Sequence, residues 1–175
     1  MARVDYVLYT NVLVHANGNK SEQTSLECKA KCVEMLFQIV THSHRVVIDG
    51  GVEKVTSLIL AEYENNIPVN NPGFGTNFLI WLLTNRMNDE HVVRVPITPQ
   101  DESFEEFPKD KSLKKFDPRD RKWIATARAH HMYNETQAKI VQSADSKWYT
   151  EGFSVIFSEL PEYPVEIEFI CDEKK

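Results

Sequence analysis

Apolar positions in this chain come in short blocks with two different spacings, separated by turn-forming residues. Val4–Val14 is apolar and β-branched almost throughout, as a strand buried on both faces of a parallel sheet requires, so the first strand is expected there. Asn17-Gly18-Asn19 breaks it. Thr24-Ser25-Leu26-Glu27 has the form of a capping box. Leu26, Ala30, Val33, Phe37 and Val40 follow at helical spacing, which predicts a helix with that stripe turned inward. Arg45–Asp49 reads as a second strand, ended by Gly50-Gly51. Val52, Val55, Ile59 and Glu62 share one helical face, and Asn65-Asn66 with Pro68 stop that helix.

Asn70–Gly75 is a turn-rich loop ahead of the apolar segment Phe78–Leu83, a further helix. His91–Ile97 is a third strand, ended by prolines. Residues 99–116 are polar, with acids first and lysines after, and read as an exposed insertion. Asp117-Pro118 opens the next helix, proline standing at its favoured first position, with Trp123, Ile124, Ala127 and His131 as the packed stripe. Lys139–Asp145 is a fourth strand, Trp148–Gly152 a short helix or turn, and Val165–Ile170 the last strand. Strands alternating with helices place a three-layer α/β/α sandwich, with a mainly parallel central sheet, in one domain over residues 1–175.

Charge changes the picture in its distribution rather than its total. The net charge is −6 and the pI about 5.5, which taken alone argues against a nonspecific polyanion binder. Residues 151–175, however, hold seven acids and two lysines, while Lys109–Lys122 holds seven bases and three acids. The second stretch makes a basic ramp, with Lys114, Lys115, Arg119 and Arg121 as the candidates to contact phosphate. No apolar stretch approaches the ~20 residues of a membrane span, so no membrane partner is expected. No signal-peptide pattern opens the chain, and three cysteines cannot all pair internally, so the expected compartment is a reducing cytoplasm. Cys28 and Cys32, four apart, would be half a metal site, but they lack a second pair at convincing spacing. They are expected to be packing or surface thiols.

In a parallel sheet ligands bind beyond the carboxyl ends of the strands. Four acids fall near such places. Asp49 ends the second strand, Asp145 ends the fourth, Glu62 lies on the apolar face of its helix, and Asp120 lies in the first turn of the helix opened by Asp117. Converging carboxylates would suit a hard cation such as Mg²⁺ or Mn²⁺, which polarises a phosphodiester and generates a hydroxide nucleophile. Each acid also has a plainer reading: a turn residue for Asp49 and Asp145, a cap or first-turn acid for Asp117 and Asp120, a stripe-edge residue for Glu62.

Val7–Val14 resembles the opening strand of PIN-domain nucleases, normally an apolar run into Asp-Thr-Asn. Ile59-Leu-Ala-Glu-Tyr63, Phe116–Ala125 and Val141–Trp148 resemble that family's later acidic motifs, in order. The resemblance covers nearly the whole chain. It implies a Mg²⁺- or Mn²⁺-dependent endoribonuclease, RNA being the expected substrate ahead of DNA, of the kind found in toxin–antitoxin or defence systems. It further implies Glu62, Asp120 and Asp145 as metal-holding carboxylates, Asn11 as the residue orienting the site, and Asp49 or Asp117 as assisting groups. A partner or inhibitor protein and self-association both remain open.

One position departs from the family pattern. Tyr9 stands where the family has its central first-strand aspartate. A neutral phenol contributes no charge at pH 7 and is a poor Mg²⁺ ligand. Asp5 cannot replace the missing acid, because it lies four residues, about 13 Å, back along a strand. Activity is therefore expected to be lost or severely weakened. The alternative is a catalytically dead domain that binds nucleic acid or protein. A small-molecule phosphohydrolase is disfavoured because no acidic DxD follows the first strand.

Overall fold

The computed structural model describes residues 2–18, 24–50, 56–70, 72–144 and 147–171. In chain order the elements are β1 (Asp5–Leu8), α1 (Thr10–Asn17), α2 (Leu26–Thr41), β2 (Arg45–Asp49), α3 (Leu58–Asn66), α4 (Phe74–Asn85) and β3 (Val92–Val95). They continue with β4 (Pro99–Gln100), β5 (Ser103–Phe104), α5 (Arg121–Asn134), β6 (Lys139–Gln142), α6 (Lys147–Thr150), α7 (Phe153–Ser158) and β7 (Glu166–Phe169). Five strands form one sheet in the order β3-β2-β1-β6-β7, parallel at every pairing, and β4 with β5 makes a small antiparallel hairpin. This is the expected α/β sandwich.

Right-handed crossovers determine the layers. The chain moves outward from β1 through β2 to β3, so α1, α2 and α4 pack together on one face, and α5 crosses β1, β2, β3 and β6. The sheet then resumes on the other side of β1 with β6. The crevice between β1 and β6 is thus the topological switch point.

Several local expectations are corrected. The strand expected over Val4–Val14 ends at Leu8, and Thr10–Asn17 is helical. An apolar run fits a buried helix as well as a buried strand, and Val12, Leu13 and Ala16 form a buried helical face. Gly18, at φ 73°, caps that helix in the left-handed conformation. On α2 the inward stripe is Cys28, Cys32, Leu36 and Ile39, whereas Leu26, Phe37 and Val40 are exposed. Its cap is Ser25, whose hydroxyl accepts from Cys28 N at 3.1 Å, rather than Thr24. The segment holding Val52 and Val55 lies outside the described residues, and the helix that follows opens at Leu58, capped by Ser57.

The fourth helix begins within the expected loop, at Phe74. Gly75 permits this, since a Cβ there would stand 2.0 Å from the Leu13 carbonyl oxygen. Asn17 seals the same α1–α4 contact, accepting from Thr76 N at 2.8 Å and donating to Thr76 Oγ1 at 2.9 Å. Residues 99–116 are not simply an exposed insertion. Phe107, Leu113 and Phe116 are buried, and Phe107 and Phe116 pack on Phe157 of α7, a helix absent from the sequence reading. On α5 the buried histidine is His130 rather than His131.

The amino edge of the sheet carries a closed ionic group. Arg45 donates twice to Asp5, at 2.7 Å each, and His130 Nε2 lies 2.9 Å from Asp5 Oδ2. Burial alone would raise the Asp5 carboxyl, yet the His130 and Arg45 hydrogen bonds hold it down to about 2. No helix among the described residues is long and apolar enough to cross a membrane.

Candidate functional site

The first residues after the central strand build the site. Tyr9 is the extended cap of α1, and its amide donates to the Val141 carbonyl at 2.9 Å, pinning the end of β1 to β6. From α3, the fully buried Tyr63 donates its hydroxyl to the Leu8 carbonyl. Asn11 Oδ1 accepts from Ser143 N at 3.1 Å, so α1 is also tied to the turn that follows β6. Asn11 therefore links α1 to β6 across the switch-point crevice.

Glu62 and Asp120 both reach this edge. Asp120 ends a 3₁₀ turn (Pro118–Asp120) at the entrance to α5. Its Oδ1 accepts from the Tyr9 hydroxyl at 3.0 Å and its Oδ2 from Trp148 Nε1 at 3.1 Å. Burial raises the Asp120 carboxyl above its ordinary value despite these two donors. Burial also raises the Tyr9 phenol well above its ordinary value, with the Asp120 charge adding to it, so Tyr9 is a neutral donor at physiological pH. Glu62 Oε1 accepts from Thr10 Oγ1 at 2.6 Å, and its Oε2 meets Lys122 Nζ at 2.5 Å. The Lys122 ammonium is largely enclosed. It also donates to the Arg119 carbonyl at 2.6 Å and lies 5.3 Å from the Trp123 ring centroid.

Of the other candidate acids, Asp49 and Asp117 serve as caps. Asp49 is a buried helix cap: it accepts from Ser57 Oγ, Leu58 N and Ile59 N at 2.7, 2.7 and 2.9 Å, fixing the start of α3. Asp117 caps the 3₁₀ turn through Arg119 N at 2.9 Å and pairs with the Arg119 guanidinium, which holds its carboxyl down to about 2. Asp145 lies outside the described residues.

The structure divides the basic ramp. Lys115 and Arg119, with Lys147 of α6, line an open cleft of about 840 Å³ whose floor includes Tyr9 and Asp120. Lys114 and Arg121 line a second cleft of about 440 Å³ against the β4–β5 hairpin. Arg121 is committed there, its guanidinium 5.3 Å from the Phe107 ring centroid and donating to the Glu102 and Phe116 carbonyls. Trp123 and Trp148 are buried, as expected, so the aromatic rings behind the first cleft are packing rather than stacking platforms.

Of the three residues expected to hold a Mg²⁺ or Mn²⁺ ion, the described ones are Glu62 and Asp120. Glu62 and Asp120 are each already bonded to donors of the chain itself. Among the described residues, no group of three ligand-bearing side chains includes either of them. Sequence reasoning missed Thr10, Lys122, Lys147 and Trp148. Lys122 offered one signal: it stands one residue before Trp123 of the packed stripe, so its stem starts beside the core. Comparison with protein-family models, curated proteins and solved structures returns no match.

Proposed function

We propose that this chain is a PIN-like domain whose metal centre has been closed by its own side chains, leaving a cleft in which Lys115, Arg119 and Lys147 bind the phosphate backbone of single-stranded RNA. The observation that carries the reading is the pairing of both described site carboxylates. The Tyr9 hydroxyl donates to Asp120 at 3.0 Å, and the Lys122 ammonium meets Glu62 at 2.5 Å. A buried carboxylate is costly unless hydrogen-bonded, paired or bound to a cation. Here the phenol and the ammonium meet that need, so no divalent ion is required.

Binding then rests on charge. Lys115, Arg119 and Lys147 line the cleft beside Tyr9; of the acids that share it, Asp117 is paired with Arg119, Asp120 accepts from Tyr9 and Trp148, and Glu151 stands as a counter-charge. With no exposed aromatic platform in the cleft, recognition is of the phosphate backbone and tolerant of base sequence.

Fluorescence anisotropy with a short labelled RNA tests this reading. The expected result is binding that EDTA leaves unchanged, no cleavage in Mn²⁺, and weakened binding in Lys115→Glu. Mn²⁺-dependent cleavage by the unaltered chain overturns the closed-centre reading. Absence of RNA binding at low salt overturns the binding reading. Tyr9→Asp is expected to confer EDTA-sensitive Mn²⁺ binding, and its failure to do so removes support for the family resemblance.

A further inference from the structure

The sulfur cluster behind α1 takes no part in the cleft. Cys28 and Cys32 lie one turn apart on α2, both buried, and Cys171, just past β7, is disulfide-bonded to Cys28. The expected packing or surface role of Cys28 is thereby corrected, because its partner lies 143 residues away, beyond the reach of any spacing argument. Cys32 is a free thiol whose sulfur is 4.0 Å from Cys171 Sγ. From α1, His15 Nδ1 comes to 4.0 Å from Cys28 Sγ, and ligand atoms of His15, Cys28 and Cys32 all lie within 4.8 Å of one another.

A structural disulfide needs two cysteines; it has no use for a third thiol and an imidazole at its side. Three sulfurs and one imidazole nitrogen are, however, a complete tetrahedral zinc set. With Zn–S near 2.3 Å and Zn–N near 2.0 Å, tetrahedral geometry sets sulfurs about 3.8 Å apart and sulfur to nitrogen about 3.5 Å. The 4.0 Å separations of Cys32 from Cys171 and of His15 from Cys28 are within about half an ångström of those values. On loading, the bonded pair has to part, His15 has to leave Ser143, and Cys171 has to close on the group formed by His15, Cys28 and Cys32.

We propose that the reduced chain binds one Zn²⁺ through His15, Cys28, Cys32 and Cys171, and that the Cys28–Cys171 disulfide is the oxidised, metal-free alternative of the same site. A dithiol reductant delivers two electrons and two protons to the Cys28–Cys171 bond, leaving two thiols and becoming a disulfide itself. Zn²⁺ then displaces the protons of the three thiols into solvent and takes a lone pair from neutral His15. A disulfide oxidant reverses the change: it takes two electrons from the Cys28 and Cys171 thiolates, their bond re-forms, Zn²⁺ leaves, the oxidant becomes two thiols with two protons from solvent, and Cys32 regains its proton from solvent.

The site connects to the sheet edge. His15 Nδ1 stands 2.7 Å from Ser143 Oγ, and Cys171 N donates to the Ser143 carbonyl at 2.6 Å. His15 must therefore exchange its serine partner for the metal, so loading bears on the turn after β6 that Asn11 also holds. The zinc site does not depend on the RNA reading.

Co²⁺ titration of the full chain is the test, with Co²⁺ as a spectroscopic substitute for zinc. The phosphine-reduced, metal-free chain is expected to take up one equivalent, with thiolate-to-cobalt charge transfer and the visible bands of tetrahedral cobalt. Added Zn²⁺ should bleach both, and the oxidised chain should show neither. Cys32→Ser keeps the disulfide, so its fold can be verified by circular dichroism before reduction; it should lose most of the charge-transfer intensity. His15→Ala should bind more weakly. No cobalt band in the reduced chain, an unchanged band in Cys32→Ser, or equal binding by the oxidised chain would each overturn the site.

Discussion

Lys114 and Lys115 are neighbours in sequence, yet they line different clefts, and salt dependence can tell them apart. Each phosphate neutralised on a single strand contributes about −0.7 to the slope of log affinity against log salt. Three cations line the cleft over Tyr9, namely Lys115, Arg119 and Lys147, so the slope should be about −2, or roughly an 18-fold loss of affinity between about 50 and about 200 mM salt. Lys115→Ala removes one contact. The slope should then flatten to about −1.4, and the loss over the same range should shrink to roughly 7-fold. Arg119 must leave Asp117 on engaging a phosphate, so Arg119→Ala should flatten the slope by no more than Lys115→Ala does. Lys114→Ala, in the cleft against the hairpin, should leave the slope unchanged. Anisotropy of one labelled RNA across a salt series measures all four proteins. Equal flattening by Lys114→Ala and Lys115→Ala, or an unchanged slope in Lys115→Ala, would refute the assignment of the RNA to this cleft.

Further outcomes follow from the packing and the buried charges. Asp5 is held at about 2 instead of 3.8. A folded-state value below the unfolded one gives stability that is fully present above pH ~4 and is lost as pH falls through about 2; its size is about 2 kcal/mol. Asp5→Asn should lower the unfolding free energy at neutral pH by at least that much and flatten its pH dependence in acid, and denaturation curves parallel to the parent's would contradict it. Gly75→Ala should destabilise by about 1–3 kcal/mol, because the new Cβ meets the Leu13 carbonyl, even though alanine is the better helix former by about 1 kcal/mol. A neutral or stabilising result in thermal denaturation would mean that α1 and α4 can separate freely. Removing the Lys122 ammonium by Lys122→Met should weaken the fold while giving the Glu62 carboxylate an affinity for divalent cations, detectable by Mn²⁺ electron paramagnetic resonance. An unchanged Mn²⁺ spectrum would argue that Lys122 does not stand in for a metal.

The layer architecture was legible along the chain, because alternating strands and helices admit few right-handed arrangements and the expected strands at Arg45–Asp49, Lys139–Asp145 and Val165–Ile170 carry their apolar character locally. The sequence also singled out Tyr9, the phenol that the structure places against Asp120. It misjudged Thr10–Asn17 and the α2 stripe, because apolar side chains identify burial but not which of two periods or faces delivers it; only packing against α4 and the sheet decides that. Lys122 on Glu62, the capping role of Asp49, the parting of Lys114 from Lys115 and the meeting of His15 with Cys28 and Cys32 belong to the tertiary structure alone. Each depends on groups brought together across tens of residues or more, and a charge or a thiol carries no mark in the sequence of the partner that folding will give it.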